Sequence, residues 1–166
     1  VHCVCVCVCL CALPLSSKMR LYKSCVLPIL LFGCESWATT YAELQCLNSL
    51  HNSCLRQILG VRLADRHSND TLYKACGTAP IEAYVRAARL RQLGHVVRMP
   101  SSRMPKQVLF ALPPAPVRPP GGTHTTLLGR LKEDCVHARI DPAALDTLCH
   151  NRPLWRDCTR AVTRMN

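Results

Sequence analysis

A run of basic residues in the middle of the chain offers the clearest candidate chemistry. From residue 86 to residue 106 there is no acidic side chain, and the candidate binding residues are Arg86, Arg89, Arg91, His95, Arg98, Arg103 and Lys106. Guanidinium and ammonium groups bind phosphate oxygens through charge-assisted hydrogen bonds. Because the chain has a net charge of +11 and a pI near 9.3, we expect a polyanionic partner, and nucleic acid is the commonest.

A helix must position these cations. Apolar or small residues recur at intervals of three and four, which places them on one helix face and leaves the other face for the cations; they are Ala83, Ala87, Leu90, Leu93, Gly94 and Val97. We expect Thr78 to cap this helix, Pro80 to lie in its first turn, and the helix to end before Pro100. Gly94 costs about 1 kcal/mol of helix propensity, so we expect another helix or a ligand to approach closely there.

Motifs of known enzymes are missing from the sequence. It contains no paired metal-binding carboxylates on a strand turn, no glycine-rich phosphate loop and no nucleophile elbow. We therefore predict no enzymatic activity, no cofactor and no small-molecule substrate. Cys135-x-His137, Cys149-His150 and Cys158 match no zinc-binding spacing, and we predict no metal site.

Composition favours a folded chain. At 166 residues with 49% hydrophobic content, the chain is long enough for one sizeable core. Aromatic residues make up only 5%, too few for the stacking platforms of many single-strand binders. The apolar run from Cys25 to Cys34 is shorter than the roughly 20 residues of a membrane span, so we expect no membrane insertion.

Thirteen cysteines divide into two groups. Five alternate with valine or leucine near the start, as in translated GT-repeat DNA, although a strand or a signal-peptide core would also fit the pattern. The other eight are predicted to be reduced and buried, which is typical of intracellular proteins, cytoplasmic or nuclear.

Helical signals follow one another from Lys18 onward. Pro28 should kink or split the first helix. Thr40-x-x-Glu43 is a capping box, and Gly60 should end the helix that follows. The apolar face of that helix is predicted to consist of Leu44, Leu47, Leu50, Cys54, Leu55 and Ile58. His51 lies beside this face, and we expect it to pack between helices and to take no part in metal or base chemistry.

Later segments complete an all-α prediction. We expect a short helix at 70–76, stopped by Gly77, and three helical segments after residue 123. The predicted organisation is a low-complexity segment at 1–17, a helical region at 18–110, a proline- and glycine-rich linker at 111–122, and a small helical segment at 123–166.

Several strings resemble the region after the polymerase core of non-LTR (LINE-type) retrotransposon reverse transcriptases. The resemblance covers nearly all of residues 18–163. It is carried by the strings at 18–37 (KMRLYKSCVLPILLFGCESW), 55–62 (LRQILGVR), 89–100 (RLRQLGHVVRMP), 104–109 (MPKQVL), 140–143 (IDPA) and 152–156 (RPLWR).

This resemblance implies a helical thumb that grips template RNA or an RNA–DNA hybrid beside the polymerase core. It also implies a fragment without the parent enzyme's RNA-directed DNA polymerase or endonuclease site. Three alternatives remain: a solvated basic surface without a ligand, a helical protein-interaction module with an acidic partner, and a non-functional pseudogene product.

Overall fold

The computed structural model describes residues 13–111 and 126–164. In these two ranges the chain is helical and forms no strand, which confirms the all-α prediction. None of the helices within these ranges is both long and apolar enough to cross a membrane. The repeat at 1–12 and most of the predicted linker lie outside the described residues.

These residues form two compact units. The first contains 13–34 and 41–85, and the second contains 35–40, 86–111 and 126–164. The division falls after Val85, within the helix that spans Ile81–Val97.

Proline explains the first irregularity of the first unit. Helix α1 (Leu15–Leu21) continues through a π-helical turn, Tyr22–Val26, into the short α2 (Leu27–Leu30). Pro28 has no backbone N–H to donate to the preceding turn, and the backbone N–H of Leu27 donates to the Tyr22 carbonyl five residues back. The predicted disruption at Pro28 therefore takes the form of a π-bulge.

Helix α3 spans Tyr41–Leu59 and ends where Gly60 adopts a positive φ of 71°, as the sequence predicted. Its inner face contributes Cys54, Leu55 and Ile58 to the core. Leu50 was predicted on this face, but the side chain is exposed. His51, at the next position, is fully buried instead.

Helix α4 (Asn69–Cys76) is capped by Ser68, whose hydroxyl accepts a hydrogen bond from the Thr71 N–H, and is ended by Gly77 at φ 55°. The long basic helix, α5, spans Ile81–Val97. Our prediction that Thr78 caps it was wrong. The Ile81 N–H donates to the side-chain carbonyl of Asn48 on α3, while Thr78 is hydrogen-bonded to the Tyr84 hydroxyl.

The core of the first unit combines side chains from α1 to α5. Aliphatic, tyrosine and cysteine side chains pack together there: Met19, Tyr22, Val26, Leu27, Cys54, Leu55, Ile58, Tyr73, Cys76 and Ile81. Burial of this apolar surface is the main favourable contribution to folding.

The second unit adds four helices to the C-terminal part of α5. They are α6 (Met104–Phe110), α7 (Leu127–His137), α8 (Leu145–His150) and α9 (Arg152–Ala161). Thr126 caps α7, and Asp141 caps the 3-10 turn that precedes α8. Asn151 caps α9 by accepting from the Leu154 N–H, as the Asn-Arg-Pro pattern indicates.

The core of the second unit lies between α5 and these later helices. Its buried members are Leu90, Leu93, Val97, Leu131, Cys135, Ile140, Cys149 and Trp155. Leu131 and Cys135, four residues apart on α7, and Trp155 of α9 therefore face this core.

Cysteines in the described ranges are in the thiol form, as predicted, but not all of them are buried. Cys34, Cys54, Cys76, Cys135 and Cys149 are buried and Cys158 is half-buried, whereas Cys25 and Cys46 are exposed. Buried cysteines of this kind act as small apolar side chains.

Candidate nucleic-acid interface

Helix α5 buries the face that its sequence predicted. Ala83, Ala87, Leu90, Leu93, Gly94 and Val97 are all buried. The cations, however, do not share one open face. They divide into a paired cluster, two helix-capping side chains and a group that lines a cleft.

The paired cluster consists of Arg86, Arg89, Asp134 and Thr39. Arg89 is only 2% exposed; it donates from Nη1 to Asp134 Oδ2 at 3.2 Å and from Nη2 to Thr39 Oγ1 at 2.7 Å. Arg86 Nε lies 3.4 Å from the other oxygen of Asp134. Our expectation that Arg89 presents its charge on the open face was wrong, because α7 supplies a buried counter-charge.

Two further cations bind backbone carbonyls. Arg98 donates from Nη1 to the Cys149 carbonyl at 2.7 Å. The ammonium group of Lys106 donates to the carbonyls of Val97 and Met99, at 2.7 and 3.0 Å. Carbonyls at the C-terminal end of a helix have no partner within the helix, so the Lys106 ammonium group caps the C-terminal end of α5. Arg103 is exposed just before α6.

The remaining predicted residues line a cleft with the last helix. Arg91 and His95 come from α5, Arg98 follows its last residue and also lines the cleft, and α9 contributes the other members, which are Arg152, Trp155, Arg156 and Thr159. We call this site the cationic cleft. Its volume is about 420 Å³, and none of its lining residues is acidic.

Helical spacing aligns the cations on each side. Arg91 and His95 lie four residues apart on α5, and Arg98 follows three residues later, directly after the helix ends; Arg152 and Arg156 lie four apart on α9. Each set therefore forms a row along one helix face, and we call these the α5 row and the α9 row. Asp157 neighbours Arg156 in the sequence but does not line the cleft.

Gly94 brings the two rows together. A Cβ atom at this position would lie 2.7 Å from Cδ1 and Cε2 of Trp155 and still closer to Nε1. The predicted close approach at Gly94 is therefore confirmed, and its partner is Trp155 of α9. Trp155 is 4% exposed, so packing of a rigid indole against a bare helix backbone fixes the position of the α9 cations.

Three arginines in the cleft are available for a ligand. Among the described residues, the side chains of Arg91, Arg152 and Arg156 have no hydrogen bond or ion pair, and all three are exposed. Arginine keeps its charge at all physiological pH values and offers a planar fork of donors that matches phosphate geometry. The arrangement is therefore suited to binding an anion.

Zinc ligation by the C-terminal cysteines and histidines gains no support. Cys135 and Cys149 pack in the apolar core. Burial raises the pKa of the Cys149 thiol to about 11 and also raises the pKa of Cys135, which disfavours the thiolates that zinc requires. In the part of the chain that the structure describes, no group of three His, Cys, Asp or Glu side chains is placed to hold a metal ion.

Arg152 and Arg156 were missed as candidate binding residues. Their i, i+4 spacing on either side of Trp155 was visible, but only the fold shows that this face of α9 meets Arg91 and His95. Asp134 was also missed as a counter-charge, since 45 residues separate it from Arg89.

No family model, curated protein or solved structure matches the chain.

Proposed function

We propose that this chain is a non-catalytic nucleic-acid-binding remnant of a LINE-type reverse transcriptase, which grips template RNA or an RNA–DNA hybrid through the cationic cleft. The observation that carries the proposal is the convergence of Arg91, His95, Arg98, Arg152 and Arg156 on one cleft without an acidic lining residue. Contacts of this kind recognise phosphate and carry little sequence information.

The sequence resemblance and the cleft involve the same two segments. The string at 89–100 supplies the α5 row, and the string at 152–156 supplies Trp155 and the α9 row. Both strings are among those that resemble the reverse transcriptases in sequence. Their meeting in one cation-lined site supports the view that the resemblance reflects a shared binding surface.

Counterion release provides the quantitative expectation. Each duplex phosphate neutralised by the protein steepens the dependence of log affinity on log salt by about 0.9. Arg89 should add little to this slope, since its guanidinium is buried against Asp134. We assign the binding mainly to Arg91, Arg152 and Arg156.

The test is fluorescence anisotropy of a labelled RNA–DNA hybrid titrated with the whole 166-residue chain at several salt concentrations. We expect the triple variant Arg91→Ala/Arg152→Ala/Arg156→Ala to bind more weakly, with a slope shallower by about 3. The matched control is Arg20→Ala/Lys132→Ala/Arg164→Ala, which removes three exposed cations outside the cleft. Equal slopes for the two triple variants, or no binding by the wild type, would contradict the proposal.

A helical protein-interaction module is the second candidate. Helix α6 has no buried residue and exposes Met104, Val108 and Phe110, and such side chains are common at protein interfaces. Titration with an acidic peptide in place of the hybrid distinguishes the two functions, because the protein partner of such a module is expected to be acidic and to meet the basic side chains of the chain. Binding of the peptide without binding of the hybrid would favour the protein partner.

A further inference from the structure

We infer that the cationic cleft binds a terminal phosphate monoester at the end of a nucleic-acid strand, in a single strand or in an RNA–DNA hybrid, more tightly than the internal phosphodiesters of the same strand. This inference rests on the proposed function and specifies the chemical group that the site takes. Cleft size, the placement of charge and the position of Trp155 support it.

Size restricts what can enter. The volume of about 420 Å³ falls within the range of small-molecule pockets, roughly 300–1,000 Å³. A double helix, whose major groove alone is about 12 Å wide, cannot enter such a cleft as a whole, so the cations can meet only single phosphate groups at its surface or at a strand end. A strand end with its phosphate group is of suitable size.

Charge is concentrated around one volume. The α5 row and the α9 row border the same cleft, so cations surround a bound group from two sides. A phosphate monoester carries about 1.5 to 2 negative charges at neutral pH and three strong acceptor oxygens, whereas an internal phosphodiester carries a single charge. The unpaired guanidinium groups of Arg91, Arg152 and Arg156 therefore favour the monoester.

Trp155 provides no platform for a base. Only 4% of the residue is exposed, because the indole packs against Gly94. The Thr159 hydroxyl donates to the Arg156 carbonyl at 3.0 Å, so its proton is already used. Trp155 Nε1 is a buried donor without a hydrogen-bond partner among the described residues, and the other free donors of the cleft belong to its basic side chains, so we expect recognition of the phosphate with little preference for the attached base.

The test compares strand ends that differ only in the phosphate. Short single-stranded oligonucleotides of one sequence, carrying a 5′-phosphate, a 3′-phosphate or only hydroxyl ends, compete with a labelled phosphorylated strand for the whole chain. We expect each phosphorylated strand to bind about tenfold more tightly than the hydroxyl strand, as one additional charge-assisted contact would give.

Two double variants test whether the cleft is the source of the preference for phosphorylated strands. In Arg152→Ala/Arg156→Ala the phosphorylated and hydroxyl strands should bind alike. In Arg20→Ala/Arg164→Ala, which removes the same charge outside the cleft, the tenfold preference should remain. Circular dichroism checks that both variants keep the helical content of the wild type.

The outcomes separate this inference from the proposed function. If phosphorylated and hydroxyl strands bind the wild type equally, and the cleft variant weakens both, the terminal-phosphate inference is overturned and the nucleic-acid proposal stands. If no strand and no RNA–DNA hybrid binds, both are overturned. A free nucleoside monophosphate that competes as well as the phosphorylated strand would identify a nucleotide as the ligand and overturn the assignment to a strand end.

Discussion

Arg89 and Arg91 lie two residues apart on α5 and occupy opposite environments. Arg89 is buried against Asp134 and Thr39, whereas Arg91 is exposed and lines the cationic cleft. Two residues along an α-helix correspond to a rotation of about 200°, so neighbours at this spacing point to opposite sides. A run of like charges in a sequence therefore combines cations that serve the fold with cations that can serve a ligand.

Removing the counter-charge of the paired cluster should have the largest effect on stability. Asp134→Asn keeps the shape of the side chain but leaves Arg89 buried without a negative partner. Breaking a buried ion pair in this way costs about 3–5 kcal/mol, measurable as a fall in the free energy of unfolding in urea.

Glu133→Gln is the matched control for this substitution. Glu133 is the preceding residue on α7 and is ion-paired with Arg130 at the surface, so its loss should cost less than about 1 kcal/mol. Equal losses for the two variants would mean that the Arg89–Asp134 pair is not buried as described.

His51 is a second buried basic group to compare with Arg89, and unlike an arginine it can lose its proton. The Ala79 carbonyl can only accept, so His51 donates to it from Nε2 and accepts from the Tyr22 hydroxyl at Nδ1. Burial lowers the His51 pKa from 6.5 to about 4, partly offset by the hydrogen bond to Ala79. The neutral imidazole is therefore the form that the fold stabilises.

Stability should consequently decrease in acid. The contribution of His51 is fully present above the unfolded pKa of 6.5 and is lost as the pH falls towards 4, in total about 3 kcal/mol. Urea unfolding at a series of pH values measures this loss. His51→Gln retains every other titrating group, so its curve should be flatter across this window. Parallel curves for the two proteins would contradict the assignment.

Gly94→Ala tests the contact that aligns the two rows of the cleft. Alanine favours a helix by about 1 kcal/mol over glycine, but here its methyl group would collide with the Trp155 indole. Overpacking of this kind costs about 1–3 kcal/mol, so we expect a lower melting temperature despite the gain in helix propensity.

A double-mutant cycle tests whether the loss of stability in Gly94→Ala comes from the collision with Trp155. Trp155→Leu makes space beside residue 94, so Gly94→Ala should cost less in the Trp155→Leu background than in the wild type. Identical costs in both backgrounds would show that Trp155 is not the group that excludes a side chain at this position.

Much of the secondary structure could be predicted because local signals determine it. Glycines at positive φ end α3 and α4, side-chain caps begin α4 and α9, and three- and four-residue apolar spacing identifies the inner face of α5. Leu50 was misplaced because periodicity alone did not show that the adjacent His51 would take the buried position, held by Tyr22 and Ala79.

The candidate site was harder to predict because its decisive contacts are distant in the sequence. Arg89 could have been suspected, since it lies four residues from both Val85 and Leu93 on the buried face. Its partner Asp134 could not be identified from local spacing. Likewise, the sequence shows Arg152 and Arg156 on one face of α9 but does not show that α9 approaches α5 at Gly94.

Arginine-specific labelling with phenylglyoxal, read by peptide mass spectrometry, tests the central distinction between paired and available cations most directly. In the free chain we expect Arg91, Arg152 and Arg156 to react rapidly and Arg89 to resist modification. A bound RNA–DNA hybrid should protect the three cleft arginines and leave the exposed Arg20, which lies outside the cleft, reactive. Rapid modification of Arg89, or equal reactivity of the cleft arginines with and without the hybrid, would contradict this account.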